Sequence, residues 1–161
     1  MEIEKKYRIK KLPEAYKDFP YKEIEQGYLC KDPIIRIRKS NEDYILTYKS
    51  KYGIDPNISQ TCVANEVEVQ LSREGYMHLK EKIDHHMVYK TRYLIPLNKG
   101  LTAELDIFKK YLDGLMIAEV EFPSINAASK FHPPDWFGEE ISSDHRYKNA
   151  YLSTIDNIRE L

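Results

Sequence analysis

The chain has 161 residues, with 25 lysines and arginines against 26 aspartates and glutamates, for a formal net charge of -1. That length suits one domain, residues 1–161, with a core of its own. The charge balance excludes the bulk positive field of a generic nucleic-acid binder. The sequence shows no secretory leader and no stretch apolar enough to span a bilayer. Two cysteines, Cys30 and Cys62, fit a reduced, cytoplasmic chain better than a disulfide framework. Charged residues make up 32% of the chain, so the charges must be either paired or sorted in space.

Residues 2–9 alternate. A strand sends successive side chains to opposite faces. Glu2, Glu4, Lys6 and Arg8 therefore share one face, and Ile3, Tyr7 and Ile9 share the other. Residues 13–20 read as a loop with one helical turn. Strands are predicted over 24–30, 34–39 and 44–50, the last two joined by a hairpin at Ser40-Asn41-Glu42-Asp43. Arg36 and Arg38 share a face, as do Thr47 and Lys49. Residues 51–59 read as a surface loop. A fifth strand over 61–71 places Glu66 and Glu68 together.

Ser72 is a good helix N-cap, and helical spacing continues to about His86. His85 and His86 would sit at that helix end and point apart, which makes a poor metal pair. Strands over 88–94, 101–111 and 115–122 follow. They place Lys90 with Arg92, Glu104 with Asp106, and Glu119 with Glu121. A short helix from Pro123, an aromatic loop over 132–138 and a helical tail over 150–158 complete the chain. No internal repeat or linker divides it.

The like-signed, same-face pairs form two sets. The acidic set is Glu2/Glu4, Glu66/Glu68, Glu104/Asp106 and Glu119/Glu121. The basic set is Lys6/Arg8, Arg36/Arg38, Lys49 and Lys90/Arg92, with Arg146 and Lys148 further on. Alternation alone also fits the wet outer face of a sandwich with cross-strand ion pairs. Cross-strand pairing would favour mixed signs along each face, however. Repeated same-sign pairs favour a barrel turned inside out, with apolar faces under helices and charged faces lining the lumen. Clustered carboxylates repel unless a divalent cation sits between them, and clustered cations call for a polyanion. A metal-bound polyphosphate answers both.

The same stretches carry a resemblance. Glu2-Ile3-Glu4-Lys5-Lys6 resembles the ExExK signature of the CYTH superfamily, the triphosphate tunnel metalloenzymes. Gln26-Gly27-Tyr28-Leu29, Arg36-Ile37-Arg38, Leu46-Thr47-Tyr48-Lys49, Glu66-Val67-Glu68, Lys90-Thr91-Arg92, Glu104-Leu105-Asp106, Glu119-Val120-Glu121 and Arg146-Tyr147-Lys148-Asn149 follow in the family's order over nearly the whole chain. The likeness is to the short bacterial members that hydrolyse inorganic triphosphate.

The resemblance implies an α+β fold: an eight-stranded antiparallel β-barrel tunnel with flanking helices. It implies Mg²⁺ or Mn²⁺ as cofactor and a small-molecule triphosphate as substrate, with no nucleic-acid or membrane partner. Lys6, Arg36, Arg38, Lys49, Lys90, Arg92, Arg146 and Lys148 would bind phosphates. Glu2, Glu4, Glu119 and Glu121 would lead the metal ligands, with Glu66, Glu68, Glu104 and Asp106 secondary. Tyr28 with Lys49 or Lys6 resembles a Lys–Tyr catalytic pair, and a second metal, or a carboxylate such as Glu4 or Glu121, would orient or deprotonate water. Tyr7 and Tyr48 should point outward. Within the family the alternatives are thiamine-triphosphate or nucleoside-triphosphate hydrolysis and, behind them, class IV adenylate cyclase. Outside enzymes, the alternative is a polyphosphate or nucleotide sensor. The loop around Trp136 would cap the barrel end, or else form a homodimer or partner surface.

Overall fold

The computed structural model describes residues 1–55 and 62–161. Among them, nine strands form one antiparallel sheet: β1 (Glu2–Ile9), β2 (Tyr21–Cys30), β3 (Ile34–Ser40), β4 (Asp43–Ser50), β5 (Cys62–Gln70), β6 (Asp84–Pro96), β7 (Thr102–Phe108), β8 (Met116–Glu121) and β9 (Phe137–Glu140). The order is β5-β4-β3-β2-β6-β7-β8-β1-β9, and β1 also pairs with β5. The first eight strands thus close into a barrel, which removes the sheet edges. Closure uses the start of β1, where Glu2 faces Ala64 and Glu4 faces Cys62. Beyond Lys6 that edge of β1 is taken by β9 instead, with Tyr7 opposite Glu140.

The ninth strand falls in and just after the stretch expected to be an aromatic loop. Its four residues carry no period-2 signal; the edge of β1 left open beyond β5 gives them partners. The helix expected over 72–86 is shorter. Ser72 does cap α1 (Arg73–Lys80), its Oγ accepting from the Gly75 amide at 2.9 Å. The chain then turns back into β6, so His85 and His86 lie on a strand. Gly27 explains the early exit: a Cβ there would meet Met87 Sδ at 2.6 Å and Ile83 Cγ2 at 2.9 Å. Those two side chains pack onto bare backbone of β2, which a continuing helix would not allow. β7 stops at Phe108, and a 3-10 turn (Lys110–Leu112) replaces its expected end. The tail holds one turn of helix, α3 (Asn149–Leu152), rather than a helix to Ile158. The second half of the 51–59 loop and the expected strand start at Thr61 lie outside the described residues.

Most apolar side chains point out of the barrel and are covered there by flanking segments. Ile3, Tyr7, Leu105, Ala118 and Val120 pack under α2 (Ile125–Ser129) and the Trp136-Phe137 segment. Val88, Phe108 and Ile117 instead have the parity of Lys90, Asp106 and Glu119, so they face inward and pack with Leu112, Tyr147 and Leu152 as a separate apolar cluster inside the barrel. Trp136 is 8% exposed, so its ring lies against the barrel wall inside this core. Tyr7 and Tyr48 both point outward as expected. Tyr7 stacks on Phe137 with centroids 4.8 Å apart, whereas Tyr48 is 39% exposed. Tyr48 faces Val67 across β4–β5, and Val67 and Val69 are also exposed. Outer apolar faces are therefore covered over β1, β7 and β8 but left open over β4–β5. Among the described residues, no helix is long and apolar enough to cross a membrane.

Candidate functional site inside the barrel

The barrel encloses a cavity of about 480 Å³. Strand alternation fills its wall with charge. The lining includes Glu2, Glu4 and Lys6 from β1, Arg36 and Arg38 from β3, Lys49 from β4, and Glu66 and Glu68 from β5. Arg92, Glu104, Glu119 and Glu121 complete the circuit from β6, β7 and β8, with Tyr28 from β2 and Lys148 from the C-terminal segment. Cross-strand registers mix the signs in places, as in Lys6–Glu119 and Lys49–Glu66, and repeat them in others, as in Glu4–Glu121 and Glu104–Glu119.

One side of this wall is closed on itself. Arg92 donates through Nε to Asp106 Oδ1 at 2.7 Å and through Nη2 to Oδ2 at 2.8 Å. Its Nη1 reaches Glu104 at 3.1 Å. Lys90 Nζ lies 2.8 Å from Asp106 and donates to Asn149 Oδ1 at 3.3 Å. Lys90 and Asp106 are both wholly buried. Burial opposes ionisation of Asp106, but Arg92 and Lys90 more than offset it and hold the carboxyl below its usual range. Burial pushes Lys90 down to about 7 against the pull of Asp106, with Arg92 adding to the push. Such a set is costly to dehydrate and must be internally satisfied to persist.

The other side is not balanced. Lys49 is gripped by Glu2 and lies 3.4 Å from Glu4. Burial and the neighbouring Glu119 push Glu4 up to about 7. Glu66 is pushed up to about 8 by burial, by its hydrogen bond to Glu2 and by the charge of Glu2. Glu121 is also raised, by burial and by Glu2. These groups disfavour ionisation because carboxylates are crowded in a dry site. Glu119 goes the other way: burial opposes its charge, but Lys6, Arg92 and Lys90 hold it well below the usual range. Lys6 Nζ lies 3.5 Å from Glu119 and donates to the Tyr147 carbonyl at 3.2 Å.

The cations of β3 complete this side. Arg36 donates from Nη2 to Thr47 Oγ1 at 3.3 Å, and its buried Nε has no hydrogen-bond partner among the described residues. Arg38 is pushed down to about 10 by burial and by Arg36 and Arg92. Its Nε donates to Gln26 Oε1 at 3.0 Å, and Gln26 Nε2 donates to Tyr28 Oη at 3.1 Å.

The barrel thus gathers most of the residues singled out from the sequence, and sets four apart: Lys90, Asp106, Arg146 and Arg8, whose guanidinium lies 5.6 Å from the centroid of the Tyr147 ring. Lys90 and Asp106 stand behind the cavity wall, locked to each other and to Arg92. Arg146 lies outside the cavity lining, its guanidinium held by Asp144 at 2.7 Å. Tyr28 meets Gln26, while Lys49 is engaged by Glu2 and Glu4.

Sequence reading missed Gln26, Asn149, Ser142, and the cavity-mouth lysines Lys31 and Lys51. Gln26 had a signal: it shares strand parity with Tyr28, on a face that is otherwise buried. Asn149 and Ser142 follow no period and are brought in by tertiary folding.

Among the described residues, no three His, Cys, Asp or Glu side chains stand converged as a ready metal cage. The donors are nonetheless hard carboxylate oxygens, the type Mg²⁺ and Mn²⁺ prefer. Mg²⁺ commonly binds through one or two carboxylates plus substrate phosphates rather than through a complete protein cage. The donor set fits such an ion.

No family model matches the chain. It is 37% identical over 155 residues to the inorganic triphosphatase of Nitrosomonas europaea, covering 94% of this chain and 96% of that protein. It is 36% identical over 154 residues to the inorganic triphosphatase of Acetivibrio thermocellus, covering 94% and 92%. The crystal structure of an inorganic triphosphatase superposes with a TM-score of 0.69 at 34% identity, covering 98% of this chain and 97% of that one.

Proposed function

Because the chain belongs to the inorganic triphosphatase family, we propose that it hydrolyses inorganic triphosphate to pyrophosphate and phosphate inside the barrel, with Mg²⁺ or Mn²⁺ as cofactor. The carrying observation is the unbalanced side of the cavity. Arg36 keeps a buried Nε without a hydrogen-bond partner among the described residues, and Arg38 stands beside it at a charge cost. An unmatched buried donor is expensive, and a phosphate oxygen would repay it. Facing these cations, Glu4 and Glu66 are pushed to about 7 and about 8, and a divalent cation would relieve that crowding.

In this reading Arg36, Arg38 and Lys6 hold the triphosphate oxygens, with Lys49 and Lys148 along the same cavity. Glu2, Glu4, Glu119 and Glu121 would hold the cation, with Glu66 and Glu68 assisting directly or through water. When bound, the cation neutralises charge on the phosphoryl and leaving oxygens. Phosphoryl transfer needs little covalent help from a protein, so positioned cations do most of the work. Arg36 and Arg38 stabilise the charge that grows on the phosphate oxygens. Glu4, among the residues that would hold the cation, would also orient the attacking water. Arg92 is already committed to Asp106 and Glu104. Its contribution is the positive field at the wall.

The test is phosphate release from inorganic triphosphate with Mg²⁺, with Mn²⁺ and with EDTA, beside ATP and thiamine triphosphate. Fast release from triphosphate that EDTA abolishes, with little from the other two, is expected. Preference for ATP or thiamine triphosphate would move the substrate assignment. Tight triphosphate binding without turnover of any of the three would make the protein a sensor.

A further inference from the structure

We propose that Gln26 is a positioning residue that makes Tyr28 a hydrogen-bond donor to the substrate while holding Arg38 in place. This deepens the triphosphatase reading and rests on it. Gln26 is wholly buried on the inward face of β2, opposite Arg38 in the β2–β3 register. A buried neutral amide amid charges is informative because its two ends have opposite hydrogen-bonding character.

The orientation of that amide follows from its neighbours. Arg38 Nε can only donate, so the group 3.0 Å away from it must be the oxygen of Gln26. The nitrogen end therefore faces Tyr28 Oη at 3.1 Å. An amide NH₂ can only donate, so the phenol oxygen accepts. Tyr28 then spends a lone pair on Gln26 and keeps its single proton for another partner. Tyr28 is buried and lines the cavity, so that partner is a group in the lumen. In the substrate complex it is a phosphoryl or leaving oxygen. No proton changes hands; Tyr28 lends a hydrogen bond where negative charge grows.

The same geometry argues against Lys49 as the lysine that would activate Tyr28 as a base. Lys49 is engaged by Glu2 and Glu4, and Tyr28 has its donor in Gln26. The chain Arg38–Gln26–Tyr28 thus links a phosphate-holding cation to an oxyanion donor through one residue. Removing Gln26 should damage two separable quantities: substrate affinity through Arg38 and turnover through Tyr28.

The experiment is a double-mutant series. Gln26→Met and Gln26→Glu are made in the wild type, in Tyr28→Phe and in Arg38→Ala, with thermal melts to check folding. kcat and KM for Mg²⁺–triphosphate are measured, and triphosphate Kd by calorimetry. Tyr28→Phe is expected to lower kcat by about 10²-fold, the usual loss for one oxyanion donor. Gln26→Met should lower kcat on the order of tenfold and raise KM, as a partial loss of the same donor. In Tyr28→Phe it should lower kcat no further while still raising KM; in Arg38→Ala it should still lower kcat while KM no longer responds. Gln26→Glu keeps an acceptor for Arg38 but captures the phenol proton, so its kcat should fall at least as far as that of Gln26→Met.

Losses that simply add in both backgrounds would overturn the proposal, as would wild-type kcat in Gln26→Glu. If the wild type itself does not turn triphosphate over, the hydrolysis reading fails separately. The Kd series then decides whether Gln26 acts through Arg38: additive losses in affinity reject it, and non-additive ones retain it.

Discussion

Two groups of charge line the same barrel, built by the same strand alternation, and they reach opposite ends. Around Asp106, two cations close on one carboxylate and an amide oxygen accepts from Lys90, with both Lys90 and Asp106 wholly buried. Around Glu4, carboxylates crowd one another, one lysine serves two of them, and an arginine keeps a buried nitrogen that has no partner among the described residues. The first group is satisfied without a ligand and braces β6 against β7. The second holds uncompensated charge of both signs, and a ligand carrying both signs resolves it. A charged lumen is therefore not uniformly a binding site. The side that the protein leaves unbalanced is the side assigned to chemistry.

The contrast can be broken most severely at its closed side. Asp106→Ala leaves Lys90 and Arg92 without their shared carboxylate, and breaking a buried pair in this way costs about 3–5 kcal/mol. Urea unfolding should register a loss of that order. An unchanged midpoint would mean that the closed group braces nothing.

The open side should behave in reverse. Glu4→Ala is expected to cost about 10²–10³-fold in kcat/KM, with a melting temperature equal to or above the wild type's because one crowded carboxylate is gone. Full activity would remove Glu4 from the metal and water sites, and a large loss of stability would make the open side a brace as well.

Acidity sharpens the comparison further. Glu4 and Glu66 sit at about 7 and about 8 in the metal-free protein, against about 4.3 in an unfolded chain. Between those values the two groups hold more protons in the folded state than in the unfolded one, so their contribution to stability falls as pH rises from about 4, whereas Lys90, pushed down to about 7, acts in the opposite sense above that pH. A divalent cation must displace the same protons. Mg²⁺ affinity should therefore climb through that window with net proton release, read by calorimetry in two buffers of different ionisation enthalpy. Binding with no proton release at pH 7 would contradict these assignments.

The smallest effect is expected outside the barrel. Arg146 is held by Asp144 beyond the cavity lining, whereas Lys148 lines the cavity. Arg146→Ala should leave kcat and KM close to wild type while Lys148→Ala raises KM, both read in the phosphate-release assay.

Much of this was legible in the sequence because period-2 alternation states which residues share a face. The grouping of residues from Glu2 to Glu121 follows from that period; the repeated same-sign pairs favoured an inverted barrel over a sandwich, and the family resemblance supplied its eight strands. Other features did not follow. Alternation places Glu104 and Asp106 alike, yet depth and the reach of Lys90 bury Asp106 while Glu104 still lines the cavity. Register across strands, which sequence order does not reveal, sets Arg92 against Asp106 and Lys49 against Glu66. Arg146 and Lys148 lie in a 3-10 turn and its exit rather than a strand, so their shared spacing carried no shared face. Segments whose form is set by tertiary partners, such as β9 and the early end of α1, were misread for the same reason.

The most direct measurement is a crystal soaked with triphosphate and Mn²⁺, with anomalous difference density locating the metal. The account predicts a manganese peak among Glu2, Glu4, Glu119 and Glu121, phosphates against Arg36 and Arg38, and the Asp106–Arg92–Lys90 contacts unchanged. A manganese peak on Asp106 and Glu104, with Arg92 released to the phosphates, would contradict it.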